Sequence, residues 1–374
     1  MKKGLFFSIG VLCFYGFYSC QKSTQGSDQS QLQALSETSA KKSSEPPATL
    51  TDGSPVAISY THDATNTFTE GPAVDKFGNV FFTDQNHDKI YRWDAITGNV
   101  SLFLDSTHSG RSNGMAFDKD GRLIACADMN GELWSIDKFG NHEVILNNYN
   151  GKLLNGPNDV WINPKDRGMY ITDPMFPRGY WDASDPRKTG NAPGWPPKYS
   201  EQGAGVAGHV YYLAPGSHSL VRVTTDPNWH AETSLPNGVV GSPDGKKLYI
   251  NKWAGGNNPG DVGYPGGVWV FDINKDGTLS NMQPFAVPLS GCDGMSTDEF
   301  GNVYLSAGGI KVYNPQGMLI KTISTPGGAA NNVFGGLDQK TLFITGGGSA
   351  RIFTQKMNVQ GVEKFGGEHN GQIK

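Results

Sequence analysis

From Val56 to Gly361 the chain alternates short apolar runs with polar, glycine-rich turns, and the alternation repeats. One recurring unit is a glycine turn followed by a β-branched or aromatic run. It reads Gly78–Asp84, Gly121–Asp128, Gly168–Asp173, Gly245–Ile250, Gly301–Ser306 and, with Gln339 in place of the glycine, Gln339–Thr345. A second unit follows each of these: Lys89–Asp94, Glu132–Asp137, His209–Leu213, Gly267–Asp272, Ile310–Asn314 and Ala350–Phe353. Runs of this length and composition, bounded by Gly, Asn and Asp, are strand signals. With the strands before and after these units, each repeat carries four strands. The shortest repeat spacing, about 40 residues, is that of a propeller blade. The pattern predicts an all-β chain, a six-bladed β-propeller of four-stranded antiparallel blades around a central channel. Val56–Tyr60, ahead of the first repeat, is expected to complete the last blade and so remove an open edge. A β-sandwich is the alternative, but it would not write both units six times in the same order.

The residue heading each inner strand is polar. Counting back from the turn gives Glu70, Asn113, Asn158, Asn237 and Asp293, with Asn332 in the sixth repeat. Glycine follows Glu70, Asn113, Asn237 and Asp293, as expected where backbones crowd together. Asn-Gly and Asp-Gly are ordinary turn dipeptides, yet here they head strands and recur by repeat. A propeller would bring the six positions to one axis. Two carboxylates gathered there repel unless a cation lies between them.

Two long insertions, Pro174–Gly208 and Trp253–Gly266, fall between second and third strands. Strand parity puts them on the same face as the axial residues. They are rich in Gly, Pro and aromatics, and Arg178, Trp181 and Trp253, with Phe176, Trp195 and Tyr264, are expected to wall a substrate pocket. The axial set offers only oxygen donors, which suits one Ca²⁺ ion, and Mg²⁺ or Mn²⁺ less well. No His or Cys occupies the ring, so Zn²⁺ fits least. No phosphate-binding loop, zincin motif or nucleophile elbow is present.

The ordered set Thr69-Glu70-Gly71-Pro72, Ser112-Asn113-Gly114-Met115, Leu154-Asn155-Gly156-Pro157-Asn158-Asp159, Thr172-Asp173-Pro174, Leu235-Pro236-Asn237-Gly238 and Cys292-Asp293-Gly294-Met295 resembles the senescence-marker-protein/gluconolactonase family of regucalcin-like propellers. The resemblance runs from about Val56 to Gly361. It implies a divalent metal, typically Ca²⁺, held by Glu70, Asn158, Asn237 and Asp293. It also implies hydrolysis of sugar-acid lactones such as gluconolactone, with Asn113 beside the substrate or the attacking water; Asn332, from its place in the sixth repeat, is expected among the substrate contacts. Asp293 is then the candidate general base, or the residue that orients the water. Many members carry Arg where this chain has Gly156. Two other functions stay open: a phosphotriesterase or arylesterase on the same metal platform, and a non-catalytic or metal-free propeller.

Composition narrows the partners. A net charge of −4 with no basic stripe argues against nucleic acid. Lys2-Lys3 followed by an apolar run from Leu5 to Tyr18 reads as an export signal, residues 1–20. Ser19-Cys20 resembles a bacterial lipoprotein cleavage site, with Cys20 lipidated. Residues 21–55 read as a flexible tether, 56–362 as the propeller and 363–374 as a tail. The expected location is the periplasm or the outer membrane, with membrane contact only through that lipid. Cys126 and Cys292 are expected to be buried thiols without a disulfide.

Overall fold

The structure is a computed structural model and describes residues 45–362 apart from 107, 177, 182–183, 186–207, 230–234 and 254–265. The signal, Cys20, most of the tether, the tail, Trp195 and Tyr264 lie outside the described residues.

Six four-stranded antiparallel sheets follow one another along the chain. Blade 1 is Thr69–Val74, Val80–Asp84, Lys89–Trp93 and Val100–Leu104, and blade 2 is Met115–Phe117, Leu123–Ala127, Glu132–Ile136 and His142–Leu146. Blade 3 is Val160–Ile162, Met169–Asp173, His209–Leu213 and Leu220–Arg222, and blade 4 is Pro236–Gly241, Lys247–Lys252, Gly267–Ile273 and Leu279–Ala286. Blade 5 is Met295–Thr297, Val303–Ser306, Ile310–Tyr313 and Leu319–Ile323. Blade 6 joins Asn331–Gly335, Thr341–Thr345 and Arg351–Lys356 to Ala57–Thr61 from the other end of the chain, with Ile58 opposite Phe353 and Tyr60 opposite Ile352. The ring closes as the sequence predicted. A small hairpin, Asn148–Tyr149 with Lys152–Leu153, is added between blades 2 and 3.

Burial explains the strand composition. The first two strands of blade 1 are buried at every position, whereas the outer strands His142–Leu146 and Leu319–Ile323 are mostly exposed. Inner strands have a blade on either side and therefore read as continuous apolar runs; outer strands have solvent on their rim. The core lies between blades: Trp161 and Tyr170 of blade 3 pack with Val239, Tyr249 and Phe271 of blade 4 and Met295 of blade 5. Full burial of a side chain such as Phe82, Tyr304 or Phe334 contributes about 1.5–3 kcal/mol. Cys126 and Cys292 are free and buried in this core.

The repeated turn has a local cause. In Asp75-Lys76-Phe77-Gly78-Asn79 the Asp75 Oδ1 accepts the N–H groups of Phe77 (2.8 Å) and Asn79 (2.9 Å). Asp137 does the same for Phe139 and Asn141, and Asp298 for Phe300 and Asn302. Each aspartate satisfies N–H groups the strands cannot reach, and the glycine takes a left-handed φ of 81–88°. These turns lie on the face opposite the starts of the inner strands, called here the far face. The compact unit begins at Pro46, earlier than the expected boundary. Leu50 is buried against Tyr304, Phe334 and Met357, and Thr51 bridges to Met357.

Candidate metal centre and active site

One narrow cavity of ≈ 50 Å³ is lined by inner-strand residues of all six blades: among them Ala73, Met115, Asp159, Val239, Met295 and Val333. This is the central channel. The backbone at its mouth is knit by a repeated pattern. The N–H groups of Asn113, Asn158 and Asp293 donate to their own second strands, at Cys126 O (3.0 Å), Thr172 O (2.8 Å) and Ser306 O (2.9 Å). The N–H of the following residue crosses to the next blade, from Gly114 to Asn158 O (2.6 Å) and from Gly294 to Ala330 O (2.8 Å). The glycines permit this approach: a Cβ on Gly71 (φ 46°) would stand 1.7 Å from Asn113 O, and one on Gly238 2.4 Å from Asp293 O.

The same pattern identifies the sixth position. Ala330 donates to Thr345 O (2.8 Å) and accepts from Gly294, as Asn158 does in blade 3. Ala330, not Asn332, therefore heads the sixth inner strand. Asn332 lies two residues further in. Its side chain accepts from Ser296 Oγ and donates to Tyr304 O (3.1 Å) and Ser306 Oγ (3.0 Å), binding blade 5 to blade 6. The likeness between blades 3 and 6 goes further. Asp159 and Asn331 occupy the place filled by glycine in the other blades. Each donates its N–H to a threonine hydroxyl, Thr172 (2.9 Å) and Thr345 (3.0 Å), and each side chain accepts the N–H of the next residue. Asp159 also accepts from Val239 (3.2 Å), tying blade 3 to blade 4. Both residues escaped the count along the chain. Their signal was that Asn158-Asp159 breaks the Asn-Gly pattern.

Glu70, Asn113, Asn158 and Asn237 are buried and Asp293 is half-buried. Burial pushes the Glu70 carboxyl up to about 7, against hydrogen bonds from Gly71 (2.7 Å) and Asn331. Burial likewise raises Asp159 to about 8, with the Glu70 charge adding to it. Asp293 is held well above the carboxylate range by burial first, then by Glu70 and Asp159, against the Asn237 amide and the Arg178 charge. Three carboxyl groups thus share one electrostatic site, and each makes ionisation of the others harder. Among the described residues no cluster of three His, Cys, Asp or Glu side chains is set to hold a metal. The ring is instead a mixed set of carboxylates and amides. Its donors are all hard oxygens, and a divalent cation would offset the mutual repulsion that makes these carboxyls hard to ionise.

The described part of the Pro174–Gly208 insertion reaches this mouth. Arg178 pairs with Asp128 through Nε (2.8 Å) and a second guanidinium nitrogen (2.6 Å), and its charge is felt at both Glu70 and Asp293. Gln85 Nε2 also donates to Asp128 (3.2 Å). Asp84 and Asp173 close their second strands and accept backbone N–H groups before the inner strand, from Phe68 and from Asn155 and Gly156. Asp128 comes one residue later in blade 2 and meets the insertion. A Cβ on Gly156 would lie 3.0 Å from Asp128 Oδ1, so the family's arginine position opens onto the pair that Arg178 now fills. The Arg178 guanidinium also lies over Phe176 (5.4 Å), whose ring meets Trp253 edge-on (5.9 Å). Trp181 is buried. Sequence reading picked out Arg178, Trp181 and Trp253 but not Asp128 or Gln85.

Comparison with known proteins agrees with this architecture. Residues 68–348 match the family model "SMP-30/Gluconolactonase/LRE-like region". A gluconolactonase of Zymomonas mobilis subsp. mobilis is 29% identical over 303 residues, covering 74% of this chain and 76% of that protein. A gluconolactonase structure from Xanthomonas campestris superposes with TM-score 0.62 at 28% identity, over 83% of this chain and 98% of that one. The calcium-binding protein regucalcin of Agrobacterium tumefaciens shares the fold at 16% identity, TM-score 0.59, over 83% and 96%. With its six blades, its axial ring and a match across most of its length, the chain belongs to the SMP-30/gluconolactonase/LRE-like family.

Proposed function

We propose that the protein is a metal-dependent hydrolase that opens sugar-acid lactones of the gluconolactone type. That it is a lactonase rests on the family and on gluconolactonase relatives matched over most of their length. The observation that carries the finer reading is the axial site itself: three carboxyl groups and several amides at one channel mouth, with an arginine held beside them.

Glu70, Asn158, Asn237 and Asp293 would hold the cation, Ca²⁺ first among the candidates. When bound, such an ion would neutralise the carboxylates and supply Lewis-acid stabilisation to the lactone carbonyl oxygen. The chain's own groups do the rest. Asp293, steadied by Asn237, accepts the proton of the attacking water or, where its charge is spent on the cation, orients that water. Asn113 stands on the next blade to Glu70 and contacts the water or substrate. Arg178, fixed by Asp128, binds the hydroxyl-bearing edge of the sugar acid, while Trp181 and Trp253 exclude bulk water. A wall that carries a paired arginine favours a polar lactone over an apolar phosphotriester.

The test is a panel of aldonolactones and a triester, run after chelation and with Ca²⁺, Mg²⁺, Mn²⁺ and Zn²⁺ restored one at a time. Hydrolysis of at least one aldonolactone that falls with chelator and returns with a divalent ion is expected. Failure on every lactone with ion bound would overturn the reading, as would turnover indifferent to chelation.

A further inference from the structure

Among the described residues, the four most exposed large apolar side chains lie on one end face of this propeller. Phe77 is 62% exposed, Ile96 82%, Phe139 78% and Leu337 64%. All four sit at the tips of far-face turns. The turns of Leu337, Phe77 and Ile96 adjoin one another: Gly336 donates to Gly78 O (2.9 Å), and Ala95 donates to Asn79 Oδ1 (2.9 Å). Phe77 also rims a cavity of ≈ 480 Å³ between blades 1 and 2 that is lined by Phe103, Phe117, Lys76 and Lys138. The turns are built for display, because Phe77 and Phe139 occupy the same place in identical pentapeptides, Asp-Lys-Phe-Gly-Asn. In each the aspartate faces inward to the turn N–H groups, leaving lysine and phenylalanine outside. Lys76 lies over the Phe77 ring (5.1 Å) and Lys138 over Phe139 (4.9 Å). Neither lysine is ion-paired among the described residues.

A third copy shows what a covered tip looks like. Phe300 in Asp-Glu-Phe-Gly-Asn packs on the core cluster that holds Leu50, and Pro46–Leu50 line a cavity with it. The incoming chain therefore enters on the far face. Among the described residues nothing equivalent covers Phe77 or Phe139. The residues from Gln21 to Ser44 number 24 and could span up to about 80 Å if extended. An anchor at Cys20 would thus bring the propeller to a membrane without fixing which way it faces.

We propose that the far face of blades 6, 1 and 2 is a lipid-contact surface, on which Phe77, Ile96, Phe139 and Leu337 insert at the phospholipid headgroup level while Lys76 and Lys138 reach the phosphates. Aromatic rings beside lysines, with Asp75 and Asp137 bound to their own turns, have the amphipathic character of an interfacial site. In this arrangement the axial mouth faces away from the membrane and stays open to soluble lactone. The proposal goes beyond the lactonase reading and stands or falls separately from it.

Phe77→Cys, Phe139→Cys and, on the mouth face, Met129→Cys variants of the full chain would each carry a polarity-sensitive fluorophore, with the parent labelled as background. They would be mixed with phosphatidylethanolamine–phosphatidylglycerol vesicles. Emission should shift to the blue at positions 77 and 139 and not at 129. The unlabelled Phe77→Ser/Phe139→Ser variant should leave vesicles about tenfold more readily with lactone turnover unchanged. No shift at 77 and 139, or a shift at 129, would overturn the proposal. So would a blue emission at 77 and 139 before vesicles are added. Mass measurement would then assign the cover to a second copy if the mass doubles and to the chain's own leader if it does not.

Discussion

Asp128 never reaches the substrate in this reading, yet its loss should be felt there. Its carboxylate, 2% exposed, holds Arg178 at 2.6 and 2.8 Å, and the arginine keeps 20% exposure. Removing one partner of a buried pair costs about 3–5 kcal/mol. Part of that is recovered here, because a partly exposed guanidinium on a loop can turn to water. About 2 kcal/mol of lost positioning is the reasonable remainder, or roughly 30-fold in kcat/KM. Asp128→Ala should therefore lower kcat/KM by that factor on an aldonolactone, chiefly through KM. The loss on an unsubstituted lactone should be several-fold smaller, since that substrate offers Arg178 no hydroxyls. Arg178→Ala should match Asp128→Ala, and the double variant should be no worse than Arg178→Ala, because Asp128 acts through the arginine. Arg178→Lys should recover only part, as a lysine cannot make the paired contact. The assay is steady-state hydrolysis of both lactones with saturating cation and melting curves run alongside. Additive losses, a loss confined to kcat, or equal losses on both lactones would refute the assignment.

Asp293→Asn should lower kcat by about 10²-fold or more while the variant still binds substrate; full turnover with the cation bound would remove Asp293 from the chemistry. The pH response of the metal-free protein follows from the raised carboxyls. Glu70 and Asp159, pushed to about 7 and about 8, hold protons that the unfolded chain releases near pH 4. Stability should then fall as pH rises from about 4 to 8, and a divalent cation should restore it at the alkaline end. Thermal melts with chelator and with Ca²⁺ check this, and an apo melting temperature that rises over that window would contradict it. Gly71→Ala forces a Cβ against the Asn113 carbonyl at 1.7 Å in a left-handed φ, and should cost about 1–3 kcal/mol together with cation affinity. Unchanged calorimetric binding would show that Glu70 and Asn113 are not coupled through that contact.

What the sequence made legible was whatever the repeat enforces. Each blade must bury the same inner strand and turn the same corner, so apolar runs and Asp-x-x-Gly-Asn turns recur and announce strand order, ring closure and the face on which Glu70, Asn158, Asn237 and Asp293 gather. Departures from the repeat were harder, because a count assumes the repeat holds. The sixth blade shows why. Gln339 replaces the turn glycine, and Asn331-Asn332 offers two amides where one position was sought. The hydrogen bonds from Ala330 to Thr345 O and from Gly294 to Ala330 O fix the register: they move Asn332 into the blade interface and put Asn331 opposite Asp159, three blades away around the ring. The pairing of Asp128 with Arg178 was hidden for a different reason. It joins a strand end of one blade to an insertion 50 residues later, and no local periodicity encodes such a contact. Both departures fall at the mouth, where the glycine kept in four blades gives way to Asp159 in blade 3 and Asn331 in blade 6. A ring of six like blades is nearly symmetric, whereas a lactone is not; the places where the repeat is broken are the places able to tell one side of a substrate from the other.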